Sequence, residues 1–204
     1  MSALSPSPRW HPLPASSLVD ALIEDEDIED VVPLPRPEVS AWLQQLSAPM
    51  DWQLIELPDD TDPPLTRMAV CGPRGNGEWE AADTISVFGY TGWPVFYDVF
   101  HNTDRMLRGL NATSIAVKVL PIPPIQRAAA LRCSGTAQMG DRSVWVQQSN
   151  YVAGSEQPHA SRLIVHSLFV DTACRARLAE DVTQLSDAVY HGYVAALLND
   201  YRTG

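Results

Sequence analysis

The sequence predicts an α+β fold in which an antiparallel sheet of about six strands is covered by helices. Three observations carry this. Strand-length apolar runs are joined by short connections bearing glycine or proline, two segments place apolar residues at three- and four-residue steps, and the strand and helix order lacks a regular βαβ repeat.

Taken in order, residues 1–48 read as an acidic, proline-rich arm, flexible or with short helices, and 49–204 as a single α+β domain. In the arm, Glu24, Asp25, Glu26, Asp27, Glu29 and Asp30 are interrupted only by Ile28, and self-repulsion is expected to keep such a run open. Its flanks, "SSLVDALI" and "EVSAWLQQL", space Leu18, Leu22, Trp42 and Leu43 as short amphipathic helices do. They either pad the domain or form a recognition segment for a partner. The domain opens on strands in "MDWQLIELP" and "LTRMAVCG". Gly72, Gly75 and Gly77 then lead into a further strand instead of opening a helix, so they predict a hairpin loop and not a phosphate-binding turn. In "PVFYDVFHNTDRMLRGL", Pro94 suits a first helical turn. One broad stripe collects Val95, Val99, Met106 and Leu110 beside Phe96, Phe100, Thr103 and Leu107. Asp98, His101, Asp104, Arg105 and Arg108 face away from it, with Asp104 set to pair Arg108.

Four strands follow, "TSIAVKVLP", "IQRAAALRCSG", "RSVWVQQSNYVAG" and "SRLIVHSLFVD", with a hairpin signal at "QMGDR". The last is apolar on both faces, which marks a central strand and makes His166 a hydrogen-bonded core residue. A long helix from about Thr172 to Asp200, capped by Asp171, packs a stripe of Cys174, Leu178, Val182, Leu185, Val189 and Ala196 on the sheet.

Charge is the least ordinary property. The chain carries a net −11, and residues 1–62 hold 13 acids against 2 bases while residues 63–204 are balanced. A neutral domain has no basic field with which to displace counterions from phosphates, so nucleic acid is not expected. The first residues lack a cationic, apolar leader pattern and no run approaches a membrane span, which leads us to expect a cytoplasmic protein. Lys118 is the sole lysine beside thirteen arginines, a skew expected of a GC-rich, actinobacterial type of genome.

Candidate chemistry is sparse. Cys71, Cys133 and Cys174 stand far apart with no Cys-x-x-Cys pair, and read as small apolar fillers and not as a zinc or disulfide framework. His101 on a wetted helix face lacks the burial or neighbouring charge that tunes a general base. His191 has no residue at metal spacing. No catalytic, cofactor-binding or metal residue is therefore expected.

"SVFGYTG" leading into a helix, then "NATSIAVKVL", "RSVWVQQSNYV" and "LIVHSLFV", resembles the LpqN-type lipoprotein family of mycobacteria and relatives over about residues 50–200. The resemblance implies a PsbP-like α-β-α sandwich, a fold whose members mostly bind or assist other proteins. The family's usual signal peptide and lipidated cysteine are not legible in this sequence, so envelope anchoring is not carried over. No functional residue of the family maps onto it.

Two expectations of function result. One is a non-enzymatic protein-binding or adaptor module, in one specific form a cytosolic accessory or chaperone protein of a secretion pathway. Its partner would carry a basic patch read by Glu24, Asp25, Glu26, Asp27, Glu29 and Asp30, with Leu18, Leu22, Trp42 and Leu43 as anchors. The other is a small-ligand-binding protein or enzyme with a pocket between sheet and helix, lined by Trp93, Trp145 and Tyr151.

Overall fold

A computed structural model describes residues 17–57, 64–73, 79–125 and 127–203. In chain order the elements are α1 (Leu18–Ile23), β1 (Ile28–Pro33), α2 (Ala41–Gln44), β2 (Trp52–Leu54), β3 (Arg67–Pro73), β4 (Trp79–Gly92), α3 (Phe96–Asn102), α4 (Arg105–Gly109), β5 (Thr113–Val119), β6 (Ala128–Met139), β7 (Arg142–Ala153), β8 (Ser161–Asp171) and α5 (Ala179–Thr203). The strands form one eight-stranded antiparallel sheet in the order β2-β3-β4-β8-β7-β6-β5, with β1 also paired to β4. The count exceeds the expected six chiefly because the acidic segment itself supplies a strand. β3 pairs β4 from Trp79 to Ile85, and β1 takes over the same edge from Phe88 to Gly92.

Strand alternation splits the core between two faces. On one face α5 and α2 cover Ile85, Val87, Tyr151 and Ile164, using Val189, Tyr193, Leu197 and Leu43. Further along that face Leu178, Val182 and Leu185 lie over Ala81, Trp145, Leu168 and Val170. On the other face Leu18 and Leu22 of α1 and Val99 of α3 pack with Phe88, Tyr90, Leu131 and Leu163. Leu107 of α4 packs there with Val70, Cys133 and Phe169. β8 sits between β4 and β7 and is covered on both faces, as its apolar run predicts. The β6–β7 hairpin turns at "MGDR" with Met139 opposite Arg142 and Gly140 at φ 64, a conformation that costs glycine little. Gly72 lies within β3, which pairs antiparallel with β4, while Gly75 and Gly77 lie outside the described residues.

Three expectations need correction. Residues 17–48 hold short helices in both flanks as expected, α1 and α2, but they are not an open arm. Ile28 is a buried peg between the acids, Leu18 and Leu22 are 1% and 2% exposed, and β1 is hydrogen-bonded into the sheet, so apolar burial at the flanks and backbone pairing outweigh the local charge repulsion. Residues 1–16 of the expected arm lie outside the described residues. The helix expected over 94–110 is broken into α3 and α4 at Thr103, because the Thr103 carbonyl accepts hydrogen bonds from Asn150 Nδ2 (3.2 Å) and Cys133 Sγ (3.2 Å) of the sheet. The last helix begins at Ala179, not Thr172. Asp171 caps a turn instead, accepting from the Ala173 N–H at 2.9 Å.

Candidate functional site

The six acids between residues 24 and 30 fall on the α1–β1 turn and the first residues of β1. Glu24 caps the end of α1 and receives both guanidinium nitrogens of Arg105, at 2.9 and 3.0 Å. That pair holds the Glu24 carboxyl below its ordinary range and raises Arg105. Asp25 turns back to accept the Asp27 N–H at 2.9 Å. Asp30 adopts φ 57 where the β1–β4 register shifts and lies 3.8 Å from His159 Nδ1. Glu26, Asp27, Glu29 and Asp30 stand exposed, so an acidic ridge is fixed on a turn pinned by Leu22 and Ile28. Among the described residues no group of three or more His, Cys, Asp or Glu is placed to hold a metal ion.

The structure separates the four apolar residues from that ridge as partner anchors. Leu18 and Leu22 are core residues beneath α1, and Leu43 is 3% exposed in the α5 layer. Trp42 lies across Gly192 of α5 so closely that a β-carbon there would clash with its ring. None of the first three is free to meet a partner, since core burial has already taken their apolar surface.

Trp93, Trp145 and Tyr151 do not form one pocket. Tyr151 is fully buried against Tyr193, with ring centroids 5.1 Å apart. Trp145 lies under the Arg175 guanidinium (4.4 Å to the centroid) beside an open cleft with Gln147, Thr172 and Thr183. Trp93 is at the surface with Arg127 over its ring.

The α5 face holds one charged group that the sequence did not disclose. Asp83 is wholly buried on β4 and accepts from Arg67, while its other oxygen is 2.6 Å from His166 Nε2. Histidine beside a carboxylate is a familiar catalytic pairing, and Ser149 lies directly across from His166. Asp83, His166 and Ser149 are each 1% exposed or less, and Ser149 Oγ receives Arg132 Nε at 3.0 Å. Asp83 and His166 are buried and Arg67, partly exposed, lines a cavity beside Leu34, Leu43 and Leu46; the group ties β3, β4 and β8 together. Of the cysteines, Cys71 and Cys133 are buried, and burial raises both thiols, Cys133 to about 12.

A second feature missed in the sequence is on α3. Val99, Thr103 and Leu107 are buried as expected, yet Val95, Phe96, Tyr97 and Phe100 project outward. The expected stripe was too broad: within α3 only Val99 is buried, and Phe96 and Phe100 of the same helix stay exposed. His101 does lie on the exposed side, its Nδ1 3.2 Å from the Tyr97 carbonyl, and Asp104 pairs Arg108 at 3.0 Å. A legible signal existed: apolar residues at 95, 96, 97, 99 and 100 cannot all fit one side of a helix.

Fold and surface together define a mixed α/β protein with one large antiparallel sheet, helices on both faces and an acidic ridge at one end. No family model matches the chain, and no curated protein matches it in sequence. Among solved structures it is similar to LpqN of Mycobacterium tuberculosis, described as involved in cell envelope biogenesis. The match has a TM-score of 0.63 at 13% identity and covers 85% of this chain and 96% of that one. The relation is one of fold. No helix among the described residues is long and apolar enough to cross a membrane.

Proposed function

We propose that this protein is a non-enzymatic protein-binding module built on a PsbP-like sandwich, and that its acidic ridge meets a partner carrying a basic patch. The observation that carries the reading is the fixed placement of Glu26, Asp27, Glu29 and Asp30 on a turn rooted in the core. Preorganised charge of this kind steers encounter without an ordering cost at the moment of binding. Three free cysteines fit a reducing, cytosolic place of action. The Asp83–His166 pair is buried at 0% and 1% exposure and is given no part in the proposed binding.

The test is capture of partners from native cytosol by the full chain and by a chain with all six acids neutralised to amides. A partner retained by the first and lost by the second is then followed kinetically. Its on-rate is expected to fall with the substitutions and with salt, as screening shortens the reach of exposed charge to roughly 8 Å at about 0.15 M, while the off-rate changes little. A partner whose on-rate ignores both would leave the ridge as a solubilising feature only.

A further inference from the structure

Packing does not account for the surface at residues 93–100. Trp93, Val95, Phe96, Tyr97 and Phe100 are 38%, 54%, 50%, 63% and 38% exposed. Single exposed apolar side chains are ordinary, whereas a cluster of aromatics in one short stretch marks an interaction surface. The Phe96 and Phe100 rings lie 6.3 Å apart, and Tyr97 stacks on His101 at 4.0 Å. Their support is firm: Val99 and Thr103 beneath are 1% and 0% exposed, and Asn150 Nδ2 reaches Thr103 Oγ1 at 2.9 Å.

Both ends of this stretch are fastened to the acidic turn. At one end Gly92 pairs Ile28 and stands against the Asp27 carbonyl, an approach that a β-carbon would block. At the other, Arg105 grips Glu24. Asp25, Glu26 and Asp27 therefore stand beside the aromatic platform. Arg105 is neutralised by Glu24 and Arg108 by Asp104, so the excess charge there is negative.

We infer that the platform docks a basic amphipathic segment of a partner protein, with the segment's apolar side chains on Phe96, Tyr97 and Phe100 and its Lys or Arg side chains over the acidic turn. The inference rests on the protein-binding reading and names where and by what chemistry binding occurs. Beside the platform the Arg127 guanidinium lies 3.0 Å from the Trp93 ring centroid, so an aromatic ring of this surface also accepts a cation. A second copy of the chain would bring two acidic turns together, and an anionic lipid surface would be repelled in the same way.

The probes are a fluorescein-labelled amphipathic leucine/lysine helix, a scrambled peptide of the same composition, a leucine/glutamate counterpart, and phosphatidylglycerol vesicles. Each is titrated with the full chain by anisotropy, and the peptide site is mapped by amide NMR. Variants are Phe96→Ser with Tyr97→Ser, and Asp25→Asn with Glu26→Gln and Asp27→Asn. A control of equal charge change elsewhere is Asp141→Asn with Glu180→Gln and Asp187→Asn, and circular dichroism checks each fold. The amphipathic basic helix is expected to bind best and to shift amides in 24–30 and 93–105. Each site variant should lose about tenfold or more in affinity, the loss given by truncating an anchor, while the control loses little. Equal binding of the scrambled peptide, equal binding by the site variants, or no peptide binding at millimolar concentration overturns the inference. So does vesicle binding or self-association that the Phe96/Tyr97 variant abolishes, which would assign the platform to lipid or to a second copy. A natural partner lost on neutralising the acids but retained by the Phe96/Tyr97 variant would leave the protein-binding reading standing and remove this site.

Discussion

Leu22→Ala separates the two ways in which residues 17–48 could belong to this protein. Leu22 is 2% exposed, one turn after Leu18 on α1, and belongs to a cluster with Phe88, Tyr90, Val99, Leu131 and Leu163. Truncating it removes three carbons from a packed site bounded by the sheet and α3, so the transfer loss is joined by a cavity. The expected cost is about 2–5 kcal/mol. At roughly 2–4 °C per kcal/mol for a chain of this size, the melting temperature should fall by about 4–20 °C. Ile23, the next residue, is 61% exposed, and Ile23→Ala should stay within about 0.5 kcal/mol. Urea unfolding followed by circular dichroism, with thermal melting as a second probe, reads both. Equal and negligible effects of the two substitutions would refute the placement of α1 in the core and restore an independent recognition arm.

Asp83→Ala should cost about 3–5 kcal/mol in urea unfolding, because it leaves Arg67 and His166 in the interior without their shared carboxylate; a cost below about 1 kcal/mol would count against that group as a structural tie. Gly192→Ala sets a methyl group against the Trp42 ring and should lower stability by about 1–3 kcal/mol despite alanine's better helix propensity, with Trp42→Ala relieving part of the loss. Burial holds Cys133 neutral to about 12, whereas an unfolded thiol ionises near 8.5. Its contribution is therefore fully present below the unfolded value and is lost as pH rises toward the folded one. Alkaline urea titrations should show a slope between about pH 9 and 12 that Cys133→Ala reduces, and Cys133 should resist thiol reagents until the chain unfolds.

Local patterns exposed most of the sheet to sequence reading. β6, β7 and β8 have alternating or doubly apolar runs and are joined by short turns, and α5 shows its stripe at Val182, Leu185 and Val189, which the structure continues through Tyr193 and Leu197. β1 was illegible for a physical reason. Its strand character comes from backbone pairing with β4 far along the chain, from the buried Ile28 and from Val31 packed partly against the same cluster, while Glu29 and Asp30 continue the charge pattern of an open segment. Arg67 and Asp83 were hidden likewise, since only the register of β3, β4 and β8 brings them to His166. The acidic half of the candidate surface was visible in composition. Its aromatic half was signalled only by apolar residues crowding 95–100, and amphipathic spacing overrode that signal by assigning Phe96 and Phe100 to the core when 94–110 is taken as one straight helix.

The division of one β4 edge between β3 and β1 bears on how the chain reaches this state. β3 is joined to β4 directly in sequence, but β1 is made first and its partner residues from Phe88 to Gly92 follow roughly sixty residues later, a non-local closure of the kind that slows folding. During synthesis Leu18, Leu22 and Ile28 must wait for Phe88, Tyr90 and Leu163 to appear before they can be buried. Until then these three apolar side chains are flanked by the acids of Glu24 to Asp30, whose mutual repulsion opposes early collapse of this segment.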